Sequence, residues 1–173
     1  RAVITLYLKK KNSVFFDGIL GGGTTGEKLL LTGNLSLKLR NALGYAEEIE
    51  VNYRAGNKTS AVLLQGTIPL MLSSRYMLSP TFSWNMERYD TIYIKSIIRS
   101  SLTFHLYREL RIASGIETFS LIRRVSATEE PSLIRYNLPF VEVSYLSLDW
   151  LFNPRKGLHL SFFAGTGNKN ITG

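Results

Sequence analysis

The sequence predicts an all-β fold, specifically a transmembrane antiparallel up-and-down β-barrel, and three observations support this prediction. Apolar and polar residues alternate with a period of two along most of the chain. Several alternating runs reach about ten residues, the length that a tilted barrel strand needs to cross a bilayer, whereas strands average about five or six residues in soluble proteins. Turn residues separate the runs, so consecutive strands are expected to connect as hairpins.

The clearest run extends from Leu29 to Arg40. Five leucines and Gly33 occupy one parity, and the other parity is mostly polar, with Thr32, Asn34, Ser36, Lys38 and Arg40. A turn is predicted at Asn41–Gly44, because Asn and Gly both tolerate the backbone conformations that tight turns require.

The residues before this run predict two shorter strands. The first covers residues 2–10 and ends in a basic run, and the second covers residues 14–20. The glycine-rich segment Gly21–Gly26 is predicted to be a flexible loop. It is not interpreted as a phosphate-binding loop, because Glu27 and Lys28 lead into a strand rather than into a helix N-terminus.

After the first turn, alternation predicts a further series of strands, at residues 48–54, 62–68, 76–87, 92–106, 110–117, 141–149 and 158–165. The connections alternate in character. Polar loops are expected at the glycine run and at residues 55–59, 87–90 and 123–131; tighter turns are expected at residues 41–44, 69–74, 107–109 and 150–157. Outer-membrane barrels have short turns at one end and longer loops at the other, so this alternation favours such a topology.

Composition narrows the chemistry that the chain can support. Among its 173 residues are no cysteines, two histidines and 13 acidic residues, and the net charge is +8. The histidines show no metal-binding spacing, and Ser101 and His105 are too far apart along one strand to act as nucleophile and base. We therefore predict no enzyme activity, cofactor or metal. Nucleic-acid binding is not expected either, because the basic residues are spread along the chain rather than clustered.

The charged parity of the strands favours a membrane barrel over a soluble one. In a large outer-membrane barrel the apolar face meets lipid and the polar face lines a watery lumen. Long strands with bulky apolar faces would need a very large dry interior in a soluble barrel. Aromatic residues concentrate near predicted strand ends, as interfacial girdles require, although packing in a β-core is the alternative explanation.

The two ends of the sequence suggest a piece of a longer polypeptide. Residues 1–10 lack the pattern of a signal peptide, and the chain stops shortly after a strand, at Gly173, without a closing element. We expect additional strands in the intact protein.

Two segments carry a resemblance to a known family. Residues 31–44 end in the Asn41-Ala-Leu-Gly44 turn, and residues 148–157 contain Asp149, Asn153, Pro154 and Gly157 in an Asp-then-Pro-x-x-Gly arrangement. The chain resembles the barrel of BamA-type outer-membrane assembly proteins, the surface-antigen superfamily. This resemblance implies that residues 1–11 are the end of the last POTRA domain and that residues 12–173 are the N-terminal part of the barrel, about nine of sixteen strands.

The resemblance also implies a function. A protein of this family inserts and folds β-barrel proteins in the bacterial outer membrane through a lateral seam between its first and last strands. Here the candidate gate strand comprises Val14, Phe15, Phe16, Asp17, Gly18, Ile19 and Leu20. Gly18 would either weaken the pairing of this strand or permit a bend. The implied partners are outer-membrane lipid, unfolded outer-membrane protein substrates and accessory lipoproteins or envelope subunits.

Two alternative functions stay open. One is a polypeptide-secreting transporter of the same superfamily. The other is a passive outer-membrane pore with basic residues along its lumen, namely Lys38, Arg40, Arg54, Lys95, Arg99 and Arg111. Glutamates of the same parity, Glu48, Glu50, Glu87 and Glu117, argue against strong anion selectivity.

Overall fold

The computed structural model describes residues 13–25, 28–73, 75–90, 92–106, 109–123, 132–148 and 156–172. Within these ranges every regular element is a β-strand. The strands are Val14–Thr25 (β1), Lys28–Arg40 (β2), Glu48–Ala55 (β3), Thr59–Thr67 (β4), Leu70–Met71 (β5), Met77–Tyr89 (β6), Tyr93–His105 (β7), Leu110–Arg123 (β8), Ser132–Leu148 (β9), Gly157–Gly165 (β10) and Asn168–Thr172 (β11).

These strands form one sheet in the order β1-β2-β3-β4-β6-β7-β8-β9-β10, with β5 paired to β6 and β11 paired to β9. Each strand is antiparallel to its neighbour. The prediction of an all-β, antiparallel, up-and-down architecture is confirmed at this level. The described sheet is open, and β1 lies at one of its edges.

Residues directly opposite in an antiparallel pair point to the same side of the sheet. One such row joins Lys38, Glu50, Gln65, Ser83, Arg99 and Glu117. We call the side that carries Lys38, Glu50 and Arg99 the polar face, and the side that carries Leu37, Trp84 and Val141 the apolar face. The ten charged residues that the sequence placed on one parity all lie on the polar face, as predicted. They are Lys38, Arg40, Arg54, Lys95, Arg99, Arg111, Glu48, Glu50, Glu87 and Glu117.

The register is staggered along the sheet. Directly paired residues can be followed from strand to strand across the sheet. The row that starts at Arg40 and Glu48, beside the turn from β2 to β3, arrives at Phe140 on β9 and Gly165 on β10. The β9–β10 hairpin closes at Leu148 and Gly157, eight residues further along β9 and six strand spacings away. The offset along the strand is eight residues of about 3.3 Å, and the distance across the sheet is six spacings of about 4.8 Å. A line through the hairpins at this end therefore deviates by roughly 40° from the perpendicular to the strands, which is the tilt of the strands. This tilt is typical of β-barrels.

Two prolines explain where pairing stops. Strands β10 and β11 follow one register along β9, and the break between them lies opposite Pro139, whose carbonyl accepts a hydrogen bond from the Thr166 N–H at 3.2 Å. Pro80 likewise accepts from the Ile68 N–H at 3.1 Å, just past the end of β4. Because proline has no N–H to return the bond, the neighbouring strand loses its ladder at that point.

The glycine-rich segment corrects one prediction. Residues Gly21–Thr25 are not a flexible loop; they extend β1 to twelve residues, and Gly21, Gly22 and Gly23 pair with Thr32, Leu31 and Leu30. The ladder uses only backbone groups, so a strand without side chains can still pair with the long neighbouring strand β2. The expectation that the gate strand is short is therefore wrong.

Connection lengths correct a second prediction. The segments predicted as polar loops are mostly the shorter ones: two residues separate β1 from β2, and three separate β3 from β4 and β6 from β7. Seven residues separate β2 from β3, and nine, including β5, separate β4 from β6. The polar composition of a connection indicates that it is exposed to solvent, not that it is long. In the connection between β6 and β7, Asp90 has a φ of 47°, the positive φ that a tight turn needs.

Some predictions fall on residues that the structure does not describe. The proposed end of a POTRA domain at residues 1–11 lies outside the described residues, and so do Asp149, Asn153 and Pro154 of the second turn motif. Gly157 of that motif is described. It has a φ of 148°, and an added Cβ there would approach the Ser147 carbonyl oxygen to 2.3 Å.

Two glycines inside the sheet should respond differently to replacement by alanine, because a neighbouring strand lies close to only one of them. A Cβ at Gly115 would lie 2.2 Å from the Ser100 carbonyl oxygen, whereas a Cβ at Gly66 would meet nothing within 4 Å. We expect Gly115→Ala to lower the free energy of unfolding by about 1–3 kcal/mol because the backbone must shift, and Gly66→Ala to change it by less than about 0.5 kcal/mol. Urea unfolding of the full-length protein in detergent micelles measures both, and equal effects would contradict the observed register.

Candidate functional site

The apolar face of the sheet is exposed. Among the described residues, only Ala55 and Phe140 are buried apolar side chains. Large apolar residues of the apolar face are instead accessible, including Ile116 at 56% and Phe162 at 65%. A soluble sheet covers its apolar face with another layer of secondary structure. The described residues supply no such layer.

The exposed apolar residues form a belt of limited height. We name the two ends of the sheet after residues in their connections, the Asn41 end and the Asp90 end. On β6 the apolar face runs from Leu78 to Met86, and Arg88 follows towards the Asp90 end. Nine residues, at about 3.3 Å each and tilted by roughly 40°, cover about 22 Å along a barrel axis. Transmembrane barrels have an apolar band about 25 Å tall.

The same boundary occurs on two other strands. Towards the Asp90 end, the residues on this face change from apolar to polar. The change falls between Ile116 and Thr118 on β8 and between Pro139 and Asn137 on β9. Two isoleucines, Ile94 and Ile122, lie beyond this boundary, at the Asp90 end. The stagger of the register therefore aligns the polar boundary of three strands into one line around the sheet.

A hydrogen-bonded turn closes the Asn41 end between β2 and β3. The Glu47 side chain, only 2% exposed, accepts hydrogen bonds from the backbone N–H groups of Leu43 at 2.6 Å and Tyr45 at 3.0 Å. Asn41 Oδ1 accepts from the Ala46 N–H at 2.9 Å. These backbone donors lower the pKa of Glu47, with the Leu43 N–H as the largest cause. The sequence identified Asn41 and Gly44 as turn residues, and both have positive φ, but it did not identify Glu47.

The Glu47 turn fixes an apolar tip. Leu43 and Tyr45 are 70% and 68% exposed although their backbone groups are held by the buried carboxylate. The neighbouring β4–β6 connection also exposes apolar residues, Leu70, Met71 and Leu72. Apolar and aromatic side chains just beyond an apolar belt are typical of residues that reach the interface between lipid and water.

On the polar face, a charge network links β2, β3 and β4. Lys38 Nζ lies 2.6 Å from Glu48 Oε1 and 3.3 Å from Glu50 Oε2. Glu50 also accepts hydrogen bonds from the Asn52 amide at 2.8 Å and from the Gln65 amide at 2.9 Å. Exposed pairs of this kind contribute little to stability, because water and salt screen their attraction. They neutralise charge along the face more than they stabilise the sheet.

A second network spans β7 and β9. Arg99 donates to Glu142 Oε2 at 2.9 Å, although β8 lies between their strands, and its guanidinium carbon lies 4.2 Å from the centre of the Phe140 ring. On β6 and β7, Lys95 Nζ lies 3.4 Å from Glu87 Oε2. These long side chains reach across neighbouring strands and pair opposite charges on the polar face.

Several hollows indent the polar face. One of about 390 Å³ is lined mainly by hydroxyl groups together with Arg99, Arg111 and Glu142. Another of about 490 Å³ is lined by Asp17, Asn34, Ser36, Asn52, Arg54, Ala61, Leu63 and Asn85. Both are hydrophilic and shallow, so the geometry suits water and polar solutes rather than a tightly enclosed cofactor.

The candidate gate strand Val14–Leu20 lies at the edge of the described sheet and pairs on one side only, with β2. A Cβ at Gly18 would lie 2.5 Å from the Asn34 carbonyl oxygen, so glycine permits the close approach of the two strands. Phe15 and Ile19 point to the polar face, whereas Phe16 and Leu20 point to the apolar face. This edge strand therefore carries large apolar residues on both sides, together with Asp17 on the polar face.

The histidine and the serine of equal parity on β7 are not brought together. His105 Nε2 lies 3.4 Å from Ser79 Oγ rather than near Ser101. No group of three metal-ligating side chains occurs among the described residues. In the same residues there is no helix with the length and apolar character needed to cross a membrane.

These observations define the chain as an all-β protein built from a single antiparallel up-and-down sheet with one charged face and one exposed apolar face. Comparisons with protein-family models, with curated proteins and with solved structures found no match. The resemblance to BamA-type proteins therefore rests on the turn motifs and strand pattern alone.

The Glu47 turn predicts a pH-dependent contribution to stability. Replacing the carboxylate by an amide in Glu47→Gln removes one of two acceptors for backbone N–H groups, so we expect the variant to be less stable at neutral pH. Because the pKa of Glu47 is lower in the folded protein, its contribution is fully present above its unfolded value of about 4.5 and disappears as the pH falls through the folded value. Unfolding of both proteins from pH 7 to pH 3 measures this, and a difference that grows as the pH falls would contradict it.

Proposed function

We propose that this sheet is part of the wall of a transmembrane β-barrel in the bacterial outer membrane. The observation that carries the proposal is the exposed apolar face, whose belt of about 22 Å is close to the height of a bilayer's apolar band. The apolar face contacts lipid, and the polar face with Lys38, Glu50 and Arg99 lines a water-filled lumen.

Closure into a ring follows from the same environment. An open sheet edge in lipid leaves backbone N–H and C=O groups unsatisfied, at several kcal/mol for each group. The strand tilt of roughly 40° favours a curved and closed sheet rather than a flat one. We infer that further strands, additional to those described, complete the ring between β10 and β1.

Within this barrel we propose the function of an outer-membrane assembly protein, which inserts and folds other β-barrel proteins through a lateral seam at β1. The resemblance of the turn motifs to BamA-type proteins supports it, and so does the edge position of Val14–Leu20. An unpaired strand edge can template a new strand through main-chain hydrogen bonds. Unfolded outer-membrane proteins are the substrates, and accessory lipoproteins or envelope subunits are further partners.

The composition of β1 suits a seam that opens. A Cβ placed at Gly22 or Gly23 would meet nothing within 4 Å, so these positions add no side-chain packing. At these two positions the strand relies on backbone hydrogen bonds, and a substrate strand can offer the same bonds in exchange. Exchange of one ladder for another requires little net free energy, because the bonds lost and gained are equivalent.

A passive pore is the second candidate function, and the open hollows of the polar face favour it. Arg54 and Arg111 line these hollows and have no ion-pair partner among the described residues. The remaining charges of the face are largely paired, so such a pore would discriminate weakly between ions. A polypeptide-secreting transporter of the same superfamily is a further alternative, and it rests on the same resemblance of the turn motifs.

The membrane placement predicts different surroundings for neighbouring residues on one strand. Single cysteines that replace Phe82 and Ser83 in the full-length protein, labelled with a nitroxide in lipid bilayers, should report lipid at position 82 and water at position 83. Oxygen and a soluble nickel complex serve as the apolar and polar relaxation agents. The pair Val141 and Ser144 on β9 is the matched test in a second strand. Equal access of the nickel complex to both members of each pair would contradict the placement.

The seam predicts that locking β1 blocks assembly. A cysteine in place of Phe16 and another in the last barrel strand of the full-length protein should form a disulfide that abolishes insertion of a substrate barrel into liposomes. Reduction should restore insertion, because the lock removes only the opening of the seam. A disulfide between β6 and β7, from Trp84→Cys and Ile98→Cys, is the matched control and should leave insertion unchanged. Full insertion with the seam locked, together with ion conduction, would favour the pore.

A further inference from the structure

A polar patch interrupts the apolar face at the Asp90 end of β8, β9 and β11. Ser120, Arg135 and Asn170 lie in one hydrogen-bonded row, and Thr118, Asn137 and Asn168 lie in the next. We call these six residues the Arg135 patch. They occupy the outward side, on which the same strands carry Ile116 and Val141 nearer the Asn41 end.

The patch is built around one cation with neutral neighbours. Arg135, Asn137, Asn168 and Asn170 are exposed. The Thr118 hydroxyl donates to Asn137 Oδ1 at 2.9 Å, which leaves the Asn137 amide nitrogen available as a donor. Within the described residues the Arg135 side chain makes no ion pair. The patch thus offers a guanidinium and several amide and hydroxyl donors, and none of its six residues carries a carboxylate.

Its surroundings identify the kind of partner. Towards the Asn41 end the patch borders the apolar belt, and towards the Asp90 end it borders the exposed side chain of Ile122. A ligand here meets apolar surface on one side and hydrogen-bond donors beside it. Guanidinium groups bind phosphate through paired, charge-assisted hydrogen bonds. Amides and hydroxyls suit the remaining oxygens of a phosphate or of a sugar.

We propose that the Arg135 patch binds the phosphorylated head group of a membrane lipid whose acyl chains lie along the apolar belt. This inference rests on the proposed membrane placement. It makes Arg135 the main determinant of lipid binding at β8 and β9.

The test titrates the full-length protein, purified in an uncharged detergent, with diphosphorylated lipid A and counts bound lipid by native mass spectrometry. We expect Arg135→Gln to raise the dissociation constant about tenfold, as expected for loss of a charge-assisted contact. Arg123→Gln is the matched control, because Arg123 is an exposed arginine at the same end of the sheet but on the polar face. It should change the constant by less than about twofold.

Three results would overturn the inference: unchanged affinity in Arg135→Gln, equal binding of dephosphorylated lipid A, and complete displacement by inorganic phosphate, which would indicate a simple anion site. Nitroxide labels at residues 82 and 83 separate this failure from that of the membrane placement. If position 82 reports lipid while Arg135→Gln binds lipid A normally, only the head-group site is wrong. If position 82 reports water, the placement itself is wrong, and the head-group site with it.

Discussion

The structure depends on an uninterrupted ladder of backbone hydrogen bonds from β1 to β9, because the described residues provide no second layer to hold the strands together. In water each such bond replaces bonds to solvent and contributes only about 0.5–1.5 kcal/mol net. In an apolar medium the alternative is an unsatisfied group, at a cost of several kcal/mol. The same ladder is therefore marginal in water and obligatory in lipid, which links the stability of this fold to its environment.

The stagger of the ladder gives the two faces their separate roles. Alternation alone places Leu37 and Lys38 on opposite sides of a strand, but it does not align the strands with each other. The offset of eight residues between the hairpins at Glu48 and Gly157 inclines all strands by a common angle. Because of this inclination, Arg88 and Asn137, which are distant in sequence, mark the same edge of the apolar belt, towards the Asp90 end.

Sequence reasoning succeeded where the pattern was local. The strand Lys28–Arg40 and the shared face of Lys38 and Glu50 followed from period two, because a one-residue slip would expose every leucine to the wrong side. It failed where pairing overrode local preference. Glycines 21–23 carry a loop signal, yet they form a strand because β2 extends far enough to pair with them.

The turn and the prolines show a second limit of sequence reasoning. Glu47 reads as one more charged residue beside Glu48, and only the folded turn reveals that its carboxylate holds two backbone N–H groups. Pro139 likewise lies inside a strand that alternation predicted from Val141 onward, and its effect falls on the neighbouring strand. Both effects depend on which groups meet across the sheet, and alternation along one strand carries no such information.

The β1 edge of the described sheet has properties that suit the proposed seam. An edge that templates a new strand must keep its own strand in place while its outer backbone groups change partners. Strand β1 pairs with β2 along all twelve residues, without a break in the register. An incoming strand would therefore extend a regular ladder at β1, because the inner side of this strand stays fully paired while its outer side forms new hydrogen bonds.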